Sequence, residues 1–193
     1  MKKIMFNDKY GLTEAVLYGR KTMTRRIATA LNHPLVSDIS EWGNDDKGKV
    51  EITVTYLTGL VQYIYPQYQP GEVVAVAQSY KAIPNPFYGR ATNKSDAVGW
   101  NNKMFVRAEL MPHHIRITNI KVERLRDISS EDCIKEGISS LCSGCHSFYF
   151  APGIGKPYVF PKHAFAALID RISGKGTWDR NPWVFAYEFE KID

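Results

Sequence analysis

The chain has 193 residues, 44% of them hydrophobic, with nine Phe, eleven Tyr and four Trp, which excludes a disordered chain and implies one globular domain with a real core. Its formal charge of +5 favours polyanionic partners over cationic ones. No run reaches the roughly 18 to 20 apolar residues of a membrane span, "MKKIMFNDKYG" lacks a signal peptide's apolar core, and three cysteines make no disulfide framework, so a cytoplasmic protein with no membrane partner is expected.

"KKIMF" (2–6) predicts a first strand. Asn7 or Asp8 then caps a short helix over 9–18 that ends at Gly19, with Leu12, Ala15 and Val16 on one face. Residues 28–49 have the composition of a loop. In "VEITVTYL" Val50, Ile52, Val54 and Tyr56 alternate with polar residues, the period of a half-buried strand. After the Pro70-Gly71 turn a nearly continuous apolar run predicts a buried strand over 72–77, and 81–103 is a polar insertion.

Strands are expected over 103–110 and 115–125. Ser129 is placed to cap a helix over 130–136, with Glu131 and Asp132 in its first turn and Gly137 as its stop. A second insertion covers 138–160, Pro161 opens an amphipathic helix, and "WVFAYEFE" sets Trp183, Phe185, Tyr187 and Phe189 on one face of a last strand, as core. The whole is a strand-rich α/β domain over 1–193, and a small barrel with short helices at its rim is the economical architecture.

Several motifs fail. "APGIGKPY" has Pro157 where a phosphate loop needs Ser or Thr, no GxGxxG exists, and no cofactor is expected. "CSGCH" offers Cys142, Cys145 and His146 as zinc-ligand types, with Cys133 or His113 and His114 as extra ligands, but a lone Cys-x-x-Cys is half a signature, so free loop thiols and no metal are expected. His33 and His163 have no catalytic partner in sequence, whereas Tyr88 and Trp100, beside basic residues, are candidates for stacking single-stranded bases.

"GRKTMTRR" (19–26) is different. A solubilising patch needs no hydroxyls, yet here Thr22 and Thr24 alternate with Arg20, Lys21, Arg25 and Arg26, a combination that suits phosphate groups. RNA or a nucleoside or nucleotide is the expected partner, with no obligate protein partner implied.

"LTEAVLYGRKTMTRRI" resembles the signature of the ASCH domain, a PUA-like family, in its phage and prophage versions; the likeness continues through "YQPGEVVAV", "RITNIKVERLRDISSEDCIKEGI" and "FAALIDRISGKGTWDRNPWVFAYEFEKI". The resemblance implies a PUA-like β-barrel with a cleft near the first helix. It also implies one of three functions: hydrolysis of N4-acetylcytidine, ribonuclease activity, or RNA binding without catalysis. Carried over from the amidohydrolases, the catalytic set is Lys21, Thr24 and Glu136, with Arg20, Thr22, Arg25 and Arg26 as ligand or phosphate contacts. Where many relatives read Val-Arg-Glu-Thr-Trp, this chain has "VAQSY", which puts Gln78 and Ser79, both able to hydrogen-bond a base or amide, in place of Glu and Thr. Lys21 sits among like charges that disfavour its proton, and Glu136, at a helix C-terminus where the dipole disfavours a carboxylate, calls for a cationic partner such as Lys21.

Overall fold

The computed structural model describes residues 1–83, 100–143 and 146–193; Tyr88, Cys145 and most of the 81–103 insertion lie outside them. A five-stranded sheet in the order β1-β6-β7-β11-β2 forms the centre: β1 is Lys3–Ile4, β6 Val73–Val76, β7 His114–Arg124, β11 Trp183–Lys191 and β2 Met23–Ile27. β1 runs parallel to β6, and the other neighbours are antiparallel. β11 is flanked on both edges; of the face expected as core, Phe185, Tyr187 and Phe189 are buried and Trp183 is half-buried, while Val184 and Ala186 on the other face are buried as well.

Two smaller sheets flank this one: β3-β4-β5 (Val36–Asn44, Val50–Tyr56, Val61–Ile64) and β10-β9-β8 (Pro157–Tyr158, His146–Phe150, Ser139–Ser143). The chain is thus mixed α/β and strand-rich, and among the described residues no ladder closes into a barrel. No helix among them is long and apolar enough to cross a membrane.

The helices are short. A 3-10 turn at Asp8–Tyr10, capped by the Asn7 side chain, precedes α1 (Leu12–Leu17), whose Leu12, Ala15 and Val16 are buried as their spacing predicts. In α2 (Ser130–Lys135) the Ser129 hydroxyl accepts from the Asp132 amide at 3.0 Å, and Gly137, at φ 103°, ends it. Pro161 opens α3 (Pro161–Ser173), and α4 spans Thr177–Arg180.

Three expectations are corrected. Within 28–49 lies β3, whose register against β4 shifts twice, and those irregularities erase the alternation that marks a strand. Residues 103–110 form two 3-10 turns, Lys103–Phe105 and Ala108–Leu110. The buried Lys103 ammonium donates to the Phe6 carbonyl, to Asp8 Oδ1 at 2.8 Å and to Thr13 Oγ1 at 3.1 Å, which fixes this stretch across the first turn rather than along a strand. Finally, the 138–160 insertion contains the β8-β9-β10 sheet, whose β9 and β10 pack on α3.

Candidate active site

Gly19 sets the geometry of the cationic stretch. Its φ of 70° turns the chain out of α1 so that the amides of Arg20 and Lys21 both donate to the Ala15 carbonyl, at 2.8 and 2.9 Å. The Thr22 amide then donates to the Lys135 carbonyl at 2.9 Å, which ties this turn to the end of α2. β2 follows as an edge strand paired only to β11, with Thr24 opposite Tyr187.

This placement sends Lys21 to the C-terminus of α2. Its Nζ donates to the Glu136 carbonyl at 2.8 Å, an orphan acceptor at a helix end, and to Glu136 Oε2 at 2.5 Å. Lys21 and Glu136 are only 2% and 4% exposed, so the ammonium is both desolvated and paired. Burial pulls the Lys21 pKa below its usual value, outweighing the pull of Glu136 in the other direction; the like charges of Arg26 and Arg25 add the smallest contributions. The cause that matters most is therefore burial, not the like charges of the sequence motif.

Lys21, Thr24, Arg25, Arg26 and Glu136 line one cavity of about 240 Å³. Phe165, Leu168, Ile169 and Ile172, one stripe of α3 at helical spacing, form its apolar wall. The volume is below the roughly 300–1,000 Å³ of drug-sized sites and suits a nucleoside or smaller group. Thr24, 5% exposed, makes no side-chain hydrogen bond among the described residues, so its hydroxyl is uncommitted in the cavity.

The remaining predicted residues part company. The Arg25 guanidinium binds three carboxylates: Nε donates to Glu123 Oε1 at 2.8 Å, Nη2 to Asp132 Oδ2 at 2.8 Å and Nη1 to Glu136 Oε1 at 3.2 Å. With its side chain 1% exposed, Arg25 is corrected from a phosphate contact to a positioning residue that holds Glu136 from behind. Arg26 has no carboxylate in contact among the described residues; it donates to the Met5 carbonyl and lies 5.6 Å from the Phe6 ring centroid, and it remains charged at the cavity. Two of the cavity's three cations, Lys21 and Arg25, are thus paired with Glu123, Asp132 and Glu136, so the motif does not make an open basic face.

Arg20 is exposed, 3.6 Å from Glu14, and lies outside the cavity, as do Thr22, Gln78 and Ser79. Gln78 and Ser79 line a different hollow, described below. Trp100 is half-buried, with its carbonyl accepting from the Lys81 amide at 3.1 Å. In "CSGCH", Cys142 stands on β8 opposite Ser147, and the zinc question rests on Cys145, outside the described residues. Sequence reasoning missed Glu123 and Asp132, which hold Arg25, and the α3 stripe; the stripe's i, i+3, i+4, i+7 spacing was a visible signal. No protein-family model matches the chain, and no curated protein or solved structure does.

Proposed function

We propose that this chain is a cytoplasmic ASCH-type protein of PUA-like fold that hydrolyses the amide of an N4-acylated cytidine, free or within RNA. The observation that carries the reading is the buried Lys21–Glu136 pair, 2.5 Å apart, in a cavity shared with the Thr24 hydroxyl. A desolvated lysine with a lowered pKa beside an uncommitted hydroxyl is the arrangement that base-activated nucleophiles require.

Lys21 in its neutral form takes the Thr24 proton while the hydroxyl oxygen attacks the acyl carbon. As the C–N bond breaks, Lys21 returns that proton to the departing exocyclic nitrogen, which leaves as the free amine of cytidine. Water then attacks the threonyl ester, loses a proton to Lys21 and releases the acyl group as a carboxylic acid, while the Thr24 oxygen recovers its proton. Glu136 holds the Nζ in place and stabilises its charged form, and Arg25 holds Glu136. Arg26, the cation without a carboxylate partner among the described residues, is placed for the tetrahedral oxyanion or a ligand phosphate. The apolar stripe of α3 receives the acyl group or the face of the base.

A second reading, an RNA-binding module without catalysis, is favoured by the same burial: Lys21 and Arg25 also serve as a bracket joining β2 to α2 and β7. Turnover decides between them. Lys21→Arg keeps the charge but offers a guanidinium that does not deprotonate near neutrality, so hydrolysis of N4-acetylcytidine should fall about a hundredfold or more. Wild-type protein that turns over no acylated cytidine sinks the amidohydrolase; cleavage of single-stranded RNA by the same sample moves the assignment to a ribonuclease.

A further inference from the structure

A second hollow lies across the segment from Asn7 to Thr13. Asn7 and Leu12 line the first cavity, whereas Asp8, Gly11 and Thr13 line the second, so the two are separated by the thickness of that one segment. The second has a volume of about 590 Å³ and takes in Gln78, Ser79 and His113, with Tyr18 beside them. Gln78 follows β6 by two residues and His113 immediately precedes β7, so the hollow sits over one end of the central sheet.

Among the described residues, the buried side-chain polar atoms without a hydrogen-bond partner are Gln78 Oε1 and His113 Nδ1, and both residues line this hollow. The nearest acid to His113 Nδ1, Asp193 Oδ1, is 3.6 Å away, beyond hydrogen-bond reach. Gln78 is only 7% exposed, and Met111 Sδ accepts from its backbone amide at 3.2 Å, which fixes the residue from behind. Buried polar atoms are nearly always paired, so two orphans on residues that line one hollow mark a place completed by something else. The Gln78 carbonyl lacks an N–H donor.

Tyr18 adds the shape of the occupant. Its ring is 73% exposed, and the Arg20 guanidinium lies over it at 5.8 Å. A free aromatic face backed by a guanidinium stacks planar rings, as single-stranded nucleic-acid sites do.

We propose that this hollow is a nucleobase subsite for a nucleotide next to the one in the Lys21–Glu136 cavity, selective for bases with an exocyclic amine. The inference rests on the reading of the first cavity as a nucleoside site, and it makes the substrate a stretch of RNA rather than a free nucleoside. Adenine and cytosine each present an amino group beside a ring nitrogen, which meets the carbonyl and the NH₂ of a glutamine amide together. Uracil carries O4 where these bases carry the amine and can meet the amide only in a shifted pose, through N3–H and O4, so it is the weaker ligand.

Fluorescence anisotropy with labelled tetranucleotides of A, C or U tests this in wild type, Gln78→Leu, Gln78→Met and Lys21→Arg. Wild type should bind the A and C tetramers about tenfold more tightly than the U tetramer. Both apolar variants, chosen so that one survives if the other folds poorly, should bring A and C down to the level of U and leave U unchanged. Lys21→Arg should keep the preference, so that a failed turnover assay and a failed subsite are read separately. Equal binding of the three tetramers by wild type, no binding of any, or a preference that survives the loss of the Gln78 amide overturns the subsite.

Discussion

The two cavities on either side of the Asn7–Thr13 segment treat polar groups in opposite ways. In the first, Lys21 is paired to Glu136 and Arg25 to three carboxylates, so these buried charges are satisfied before any ligand arrives. In the second, a glutamine oxygen and a histidine nitrogen are buried without partners. Paired buried charges are held rigidly, whereas an unpaired buried group is finished only by its occupant. On the proposed reading, chemistry and recognition are divided between neighbours that share one wall.

The hardest way to break this contrast is to unpair the paired side. Glu136→Ala leaves the Lys21 ammonium buried without its carboxylate, and urea unfolding should show a loss of about 3–5 kcal/mol. The double variant Lys21→Met, Glu136→Leu should recover most of that loss and none of the activity. A double variant as unstable as the single one would mean that the pair is not the source of the effect.

Proton affinity sharpens the comparison further. Because burial lowers the Lys21 pKa below 10.5, the unfolded chain binds more protons than the folded one between the lowered value and 10.5. Lys21 thus makes stability rise with pH through that window. Wild type should gain on Lys21→Met, in melting temperature, as pH approaches 10.5, and turnover should rise with pH as the lysine loses its proton. Parallel stability curves for the two proteins would put the Lys21 proton affinity back at its ordinary value.

On the unpaired side the expected effect is smaller and of opposite sign. Gln78→Leu removes an orphaned acceptor from a buried position, and the ligand-free protein should become more stable by about 1 kcal/mol. A destabilised Gln78→Leu would mean that the amide already has a partner and that the contrast between the cavities is not real.

Much of the paired site was legible from local chemistry. A carboxylate at a helix C-terminus asks for a cation, and Glu136 found Lys21; Ser129 and Gly137 bounded α2 as their residue types require. What stayed hidden depended on residues distant in sequence. Arg25 looked like a phosphate ligand because Glu123 and Asp132, which bury and occupy it, come some hundred positions later and carry no local mark. β3 was lost to its register shifts, and the 103–110 stretch to a lysine drawn inward by Asp8 and Thr13. Gln78 was legible as a residue able to contact a base, but its separation from Lys21 by the Asn7–Thr13 wall was not.

The position of β11 carries a kinetic consequence. The strand that joins β2 to the rest of the central sheet lies far from it in sequence, and it places Tyr187 opposite Thr24. Until it docks, β2 has no neighbour in that sheet and is held by side-chain ties to α2 and β7 rather than by a ladder. Such a closing step joins segments far apart in the sequence, the kind of contact that forms slowly. In refolding, Thr24 would therefore reach its place at the cavity late, with the β2–β11 ladder.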